Sequence, residues 1–165
     1  MQHVWLIGMM GSGKTTVGVT LADLLDMPFV DTDAEVEASS QTTIPELFAQ
    51  GESVFREIES TVIGALIQVP ASVIATGGGS VLSQDNVELM KRSGSIVHLS
   101  VDVPTADKRL DGDGMQTRPL LSSSTTSQLL EQRQALYLEV SDVTIATVDK
   151  DPGTIAQEVA TWLDM

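Results

Sequence analysis

A glycine-rich segment near the start of the chain has the spacing of a phosphate-binding loop. Residues 8–15 read GMMGSGKT, which matches GxxxxGK followed by Ser or Thr, between an apolar run and a helical pattern. Glycines let backbone N–H groups turn inward around phosphate oxygens, and the lysine adds a full charge. A chance glycine-rich turn is the alternative, but the flanking strand and helix favour a nucleotide site. The predicted ATP-binding residues here are Gly11, Ser12, Gly13, Lys14, Thr15 and Thr16.

Two carboxylates and a hydroxyl are placed to handle a metal ion and a proton. The Thr15 hydroxyl is a predicted ligand of the Mg²⁺ that accompanies ATP, and Asp31, at the end of a predicted strand, is placed to support the same ion. Asp33 follows two residues later. It could accept the proton of an acceptor hydroxyl or serve only as a helix N-cap, and the loop upstream favours the catalytic interpretation.

The basic residues are few, so their positions are informative. The net charge is -14, from 9 Lys+Arg and 23 Asp+Glu, which argues against a nucleic-acid surface. Distant carboxylates are screened beyond about 8 Å at physiological salt, so local cations decide phosphate binding. Arg118 precedes a proline in a stretch bounded by glycines and serines, a pattern typical of a lid that carries a cation; a disordered loop is the alternative. Arg56 could simply pair with Glu59 on a helix face.

Apolar runs alternate with helical patterns along the whole chain. The predicted strands are residues 4–7, 28–30, 72–76, 95–99 and 143–147. This alternation predicts an α/β fold with a central parallel sheet whose ligands lie beyond the carboxyl ends of the strands. The glycines at 77–79 come straight after one strand, which indicates either a tight turn or the close approach of a ligand.

Length and composition narrow the class of protein. A chain of 165 residues without a break in composition predicts one domain over residues 1–165. We find no leader pattern and no apolar run long enough to span a bilayer, so we expect a soluble cytoplasmic protein without membrane contact. The absence of cysteine excludes disulfides and thiolate metal sites.

Six segments, taken together and in order, resemble the shikimate kinase family: GMMGSGKT, DTD, FREIE, GGG, RPLL and RQALYLEVSD. The resemblance runs from the phosphate loop to the terminal helix. It implies a three-layer α/β/α P-loop kinase fold with a five-stranded sheet, an acceptor-binding region at about 33–60 and a mobile lid at about 111–125. It also implies that the protein uses ATP together with Mg²⁺ to phosphorylate the 3-hydroxyl of shikimate. We expect a monomer whose partners are ATP, ADP and shikimate.

The resemblance also implies a role for individual residues. The catalytic residues would be Lys14, Asp33 and Arg118, with Arg118 reaching the ATP phosphates. Two arginines would clamp the shikimate carboxylate, the middle glycine of the triplet, Gly78, would offer its backbone N–H, and two aromatic rings would form a wall. These acceptor-site residues are Arg56, Arg133, Gly77, Gly78, Gly79, Phe48 and Phe55. The adenine would be held by Arg109, Lys150 and Pro152.

Two other functions stay open at this point. The acceptor could be gluconate or a nucleoside monophosphate, although a monophosphate calls for more basic residues than Arg56 and Arg133 provide. The chain could also be a regulatory module that binds nucleotide without turnover. Such a module should have lost a catalytic part, and Lys14, Asp33, Arg118 and Arg133 are all present.

Overall fold

The computed structural model describes residues 2–113 and 124–164. Its strands are β1 His3–Ile7, β2 Phe29–Asp31, β3 Val73–Ala75, β4 Gly94–Ser100 and β5 Val143–Ala146. Its helices are α1 Lys14–Leu25, α2 Thr32–Ser40, α3 Ile44–Gln50, α4 Glu52–Leu66, α5 Gln84–Ser93, α6 Val103–Asp113, α7 Thr126–Val140 and α8 Pro152–Leu163. None of the helices in the described ranges is both long and apolar enough to cross a membrane.

The five strands form one parallel sheet in the order β2-β3-β1-β4-β5. The predicted α/β class and parallel sheet are therefore confirmed. Leu6 of β1 and Asp31 of β2 both pair with Ala75 of β3. Because these three strands end at the same edge, the segments that follow them lie side by side, at the point where the strand order reverses.

Both faces of the sheet are buried, as expected for parallel strands covered by helices. In β1, Val4 and Leu6 pack into a cluster with α1 and α8, while Trp5 and Ile7 pack into a second cluster on the opposite face. The second cluster draws side chains from α2 through α7. The phosphate loop is thus held by a strand that is fixed on both sides.

Two predicted loop boundaries were wrong. Residues 111–113 complete α6 instead of breaking it, because the buried side chains of Ala106 and Leu110 hold this helix in place, and packing outweighs weak helix propensity. The composition of residues 122–127, which are all serine or threonine, predicts a loop, but α7 begins within this stretch. Thr125 and Gln128 form a capping box, so that Thr126 is already helical. Most of the predicted lid, with Arg118, lies outside the described residues.

Candidate active site

The phosphate loop has the backbone that the glycine spacing predicts. Gly8, Gly11 and Gly13 adopt φ values of 142°, 77° and 92°, which other residues resist. Gly13 is the N-cap of α1, so the positive end of that helix points into the loop. The Lys14 ammonium donates hydrogen bonds of 2.8 Å to the carbonyl oxygens of Gly8 and Met9. The loop therefore presents a nest of backbone donors with a cation folded over it.

Thr15 and Asp31 meet at the edge of this loop. The Thr15 hydroxyl donates to Asp31 Oδ2 at 2.8 Å, and Asp31 Oδ1 accepts the backbone N–H of Asp33 at 3.0 Å. Asp31 is therefore the N-cap of α2, the role that the sequence had left open for Asp33. These hydroxyl and carboxylate oxygens suit Mg²⁺, which in proteins takes few side-chain ligands and keeps phosphate and water oxygens. The donor set therefore fits the predicted ion.

A cavity of about 870 Å³ extends from the phosphate loop to the glycine segment 77–79. The structure places every predicted site residue in the described ranges on its walls. They are Gly11, Ser12, Gly13, Lys14, Thr15, Thr16, Asp31, Asp33, Phe48, Phe55, Arg56, Gly77, Gly78, Gly79, Arg109, Arg133, Lys150 and Pro152. The phosphate-binding end thus shares one space with a carboxylate, two guanidinium groups and an aromatic pair.

Arg56 is fixed against the glycine segment by two carboxylates. Its Nη1 lies 2.8 Å from Glu59 Oε2, its Nη2 lies 3.0 Å from Glu52 Oε1, and its guanidinium sits 5.1 Å from the Phe55 ring centroid. Burial lowers the pKa of Arg56, but the charges and hydrogen bonds of Glu59 and Glu52 outweigh it and raise the pKa above its ordinary value. The helix-face pairing considered from the sequence exists, and the paired arginine still lines the cavity.

Arg133 is the most buried cation among the predicted site residues that the structure describes. It is 3% exposed, it lines the cavity from α7, and its Nη1 has no hydrogen-bond partner among the residues that the structure describes. A buried charged donor without a partner costs free energy, commonly about 1–3 kcal/mol or more. A ligand oxygen in the cavity would remove this cost. The side chain therefore has the geometry of an anion-binding group.

The three glycines at 77–79 have different structural requirements. A Cβ on Gly77 would lie 2.5 Å from Glu59 Oε1, and a Cβ on Gly79 would lie 2.5 Å from Arg56 Cζ. A Cβ on Gly78 would meet only ordinary contacts, with a nearest distance of 3.4 Å. At 77 and 79, the protein's own side chains would therefore have to shift to make room for a methyl group. They leave Gly78 open to the cavity.

Comparison with known proteins decides the family. The model of the shikimate kinase family matches residues 10–164. The chain belongs to the shikimate kinase family. It is 40% identical over 164 residues to the shikimate kinase of Sulfurihydrogenibium sp. (strain YO3AOP1), covering 98% of this chain and 97% of that protein.

Solved structures agree with this family assignment. The shikimate kinase from Acinetobacter baumannii in complex with shikimate matches with a TM-score of 0.93 and 38% identity, covering 99% of this chain and 93% of that one. The shikimate kinase from Aquifex aeolicus matches at a TM-score of 0.84 and 32% identity, covering 98% and 96%. A gluconokinase from Sinorhizobium meliloti, at 17% identity and a TM-score of 0.58, shares the fold alone.

The predicted adenine contacts lie at the far end of the cavity in this shikimate kinase family member. Arg109 Nη1 donates to the Gly11 carbonyl at 3.1 Å, and its Nη2 donates to the Thr147 carbonyl at 2.8 Å. Lys150 Nζ lies 2.7 Å from Glu158 Oε2. Arg109 therefore braces the phosphate loop against the end of β5, with its planar guanidinium fixed in position.

Sequence reasoning missed two acidic residues of the site. Glu59 is 1% exposed and accepts hydrogen bonds from Arg56 and, at 2.7 Å, from Ser80 Oγ. Its signal was a carboxylate inside the apolar stripe of α4, in line with Phe55 and Val62. Glu37 also lines the cavity and accepts the backbone N–H of Ile44 at 2.8 Å, which ties α2 to α3. Glu37, unlike Glu59, has no local sequence pattern that separates it from a surface carboxylate.

Proposed function

We propose that this protein transfers the γ-phosphoryl group of ATP to the 3-hydroxyl of shikimate, giving shikimate 3-phosphate and ADP, a step towards chorismate and the aromatic amino acids. The observation that carries the proposal is the buried Arg133, which lines the same cavity as Arg56, Asp33 and the phosphate loop and whose Nη1 has no partner in the described part of the chain. Two guanidinium groups suit one carboxylate, and Asp33 suits a hydroxyl. A hydroxy acid satisfies all of these groups.

The donor end is built for a triphosphate. The Lys14 ammonium, which bonds to the Gly8 and Met9 carbonyls, would instead contact phosphate oxygens beside the loop N–H groups. Thr15 and Asp31 would hold Mg²⁺, which supplies charge neutralisation on the phosphates when it is bound. We assign the adenine to the space between Arg109, Lys150 and Pro152.

The acceptor end orients one hydroxyl towards the donor. Arg133 and Arg56 would hold the carboxylate of shikimate, while Phe48 and Phe55, with ring centroids 4.7 Å apart, would cover its ring. Asp33 would then accept the proton of the 3-hydroxyl of shikimate while the oxygen of that hydroxyl attacks the γ-phosphorus. The new P–O bond forms while the bond to the β-phosphate oxygen breaks, and ADP leaves.

We extend the proposal to the rest of the molecule. Residues 1–165 would act as one kinase domain, with an acceptor-binding region at about 33–60 and a lid at about 111–125 that brings Arg118 to the phosphates. A monomer suffices, because the described parts of the donor and acceptor sites come from one chain. The cytoplasm, where ATP is available, is the location that suits the reaction.

An acceptor panel tests the proposal. ADP release is measured with ATP and Mg²⁺ in the presence of shikimate, gluconate or a nucleoside monophosphate, and then with a chelator added. We expect turnover with shikimate that the chelator abolishes, and turnover at least about a hundredfold lower with Asp33→Asn. Turnover with gluconate or a monophosphate but not with shikimate would refute the proposal.

A further inference from the structure

We infer that Tyr137 is a positioning residue of the acceptor site, because its hydroxyl holds the Gly78 carbonyl behind the cavity and so orients the glycine segment towards the acceptor. The inference rests on the proposed function, since it concerns how the same cavity binds its acceptor. Tyr137 does not line the cavity. Any effect it has on the acceptor must therefore act through its neighbours that do line the cavity, which are Gly78, whose carbonyl its hydroxyl holds, and Arg133.

The geometry places Tyr137 directly behind the glycine segment. Tyr137 is fully buried, and its hydroxyl donates a hydrogen bond to the carbonyl oxygen of Gly78. It follows Arg133 by one turn of α7, and Arg133 Nη1 would lie 3.6 Å from a Cβ on Gly78. The same helix face thus supplies a cation to the cavity and a donor to the back of its wall.

A glycine segment needs such an anchor. Gly78 lies between two other glycines, and these residues have the widest range of backbone conformations. In a trans peptide the carbonyl of Gly78 and the N–H of Gly79 point in opposite directions. Because the Gly78 carbonyl accepts from Tyr137, which does not line the cavity, the Gly79 N–H points away from Tyr137, and Gly79 itself lines the cavity. The hydrogen bond therefore selects the peptide orientation that offers a donor to a ligand.

The aromatic ring cannot easily leave this position. It stacks on His98 of β4, with ring centroids 5.1 Å apart and an interplanar angle of 24°. His98 in turn lies 3.2 Å from Thr144 Oγ1 of β5, which ties the stack to the sheet. Burial raises the pKa of Tyr137 to about 12, although the nearby charge of Arg133 opposes this shift. The hydroxyl therefore stays protonated, and remains a donor, over the pH range in which kinases work.

Tyr137→Phe removes the hydroxyl and keeps the ring. We expect KM for shikimate to rise roughly five- to thirtyfold, because the Gly78 carbonyl loses its buried partner and the segment loses its fixed orientation. KM for ATP should change by less than about twofold, since the hydrogen bond that is lost holds the glycine segment and not the phosphate loop. A purely structural role would lower the melting temperature without this difference between the two KM values.

Ser93→Ala is the matched control. It removes a half-buried hydroxyl, the acceptor of the Trp5 indole N–H at 3.1 Å, at the opposite end of the sheet from the cavity. We expect Ser93→Ala to lower the melting temperature but to leave both KM values at the wild-type level. If Tyr137→Phe behaves like Ser93→Ala, the positioning role is refuted while the proposed function stands. If the wild-type protein does not phosphorylate shikimate, the proposed function fails first.

A second measurement uses the wild-type protein alone. Tyr137 is the only tyrosine of the chain, so tyrosine labelled with ¹³C at Cζ gives one assigned signal. We expect this signal to shift when shikimate saturates the protein, because a ligand on the far side of the peptide polarises the Gly78 carbonyl. A signal that does not move on shikimate binding would overturn the inference, even if Tyr137→Phe fails to fold.

Discussion

The variants Gly79→Ala and Gly78→Ala distinguish a glycine that protein stability needs from a glycine that acceptor binding needs. Gly79 has φ -99° and ψ 0°, which alanine can adopt, so the obstacle to Gly79→Ala is the Arg56 guanidinium, with Cζ 2.5 Å from the new Cβ. Gly78 is not among the described glycines with positive φ, and its Cβ would meet no atom closer than 3.4 Å. Only the first variant must therefore displace a protein side chain.

The two variants should differ in stability by a predictable amount. Both gain the small benefit of replacing glycine by alanine in the unfolded chain, about 0.4–1 kcal/mol. In Gly79→Ala the displaced Arg56 also loses its charged hydrogen bond to the buried Glu59, which costs about 1.5–3 kcal/mol. We expect Gly78→Ala to have the wild-type free energy of unfolding or a slightly higher one. Gly79→Ala should lie about 1.5–3 kcal/mol below Gly78→Ala.

Gly78→Ala should weaken binding of the acceptor although it does not lower stability. Its methyl group would stand 3.6 Å from Arg133 Nη1, where we propose that the acceptor carboxylate binds. Overpacking of this kind costs about 1–3 kcal/mol, so KM for shikimate should rise about five- to 150-fold while KM for ATP stays nearly constant. Urea unfolding and steady-state kinetics measure both quantities. Wild-type KM for shikimate in a stable Gly78→Ala protein would refute this reasoning.

Three further predictions concern single side chains. Arg133→Ala should raise KM for shikimate by about one to two decades and largely spare ATP affinity; equal losses for both substrates would contradict the carboxylate role. Asp33→Asn should lower kcat about 100- to 10,000-fold with the fold intact, since Asp31 caps α2, and a kcat within tenfold of wild type would argue against Asp33 as the base. Burial, aided by the charge of Lys14, lowers the pKa of His98 to about 4. The unfolded chain therefore binds this proton near pH 6.5 and the folded one only near pH 4, so stability should fall by about 3 kcal/mol from pH 7 to pH 4. In His98→Phe, the free energy of unfolding in urea should therefore change by about 3 kcal/mol less between pH 7 and pH 4 than in the wild type. The same pH dependence in both proteins would contradict the lowered pKa of His98.

The parts of the site that follow strand ends could be predicted from the sequence. The phosphate loop, Asp31 with Asp33 and the glycines at 77–79 each come directly after an apolar run. A parallel sheet brings the carboxyl ends of its strands to one edge, so local patterns were enough to group these residues. That these residues lie close together could be predicted without knowing how their side chains pack.

The supporting residues could not be predicted in the same way. Glu59 and Tyr137 act through contacts with residues that lie far away in sequence, Ser80 and Gly78. A carboxylate three residues after an arginine and a tyrosine on an amphipathic helix are both common, and only tertiary packing gives them a role. The same reason explains why α6 continues to Asp113, since the buried contacts of a helix override its weak local propensity.

The identity of the phosphorylated product is the most direct test of the account. The protein is incubated with ATP, Mg²⁺ and shikimate, and the product is assigned by correlated ³¹P and ¹H magnetic resonance. We expect one phosphate ester on the 3-hydroxyl of shikimate, formed together with ADP in equal amount. ADP formed at the same rate without shikimate, or a phosphate on another hydroxyl, would contradict the arrangement of donor, base and carboxylate clamp described for this cavity.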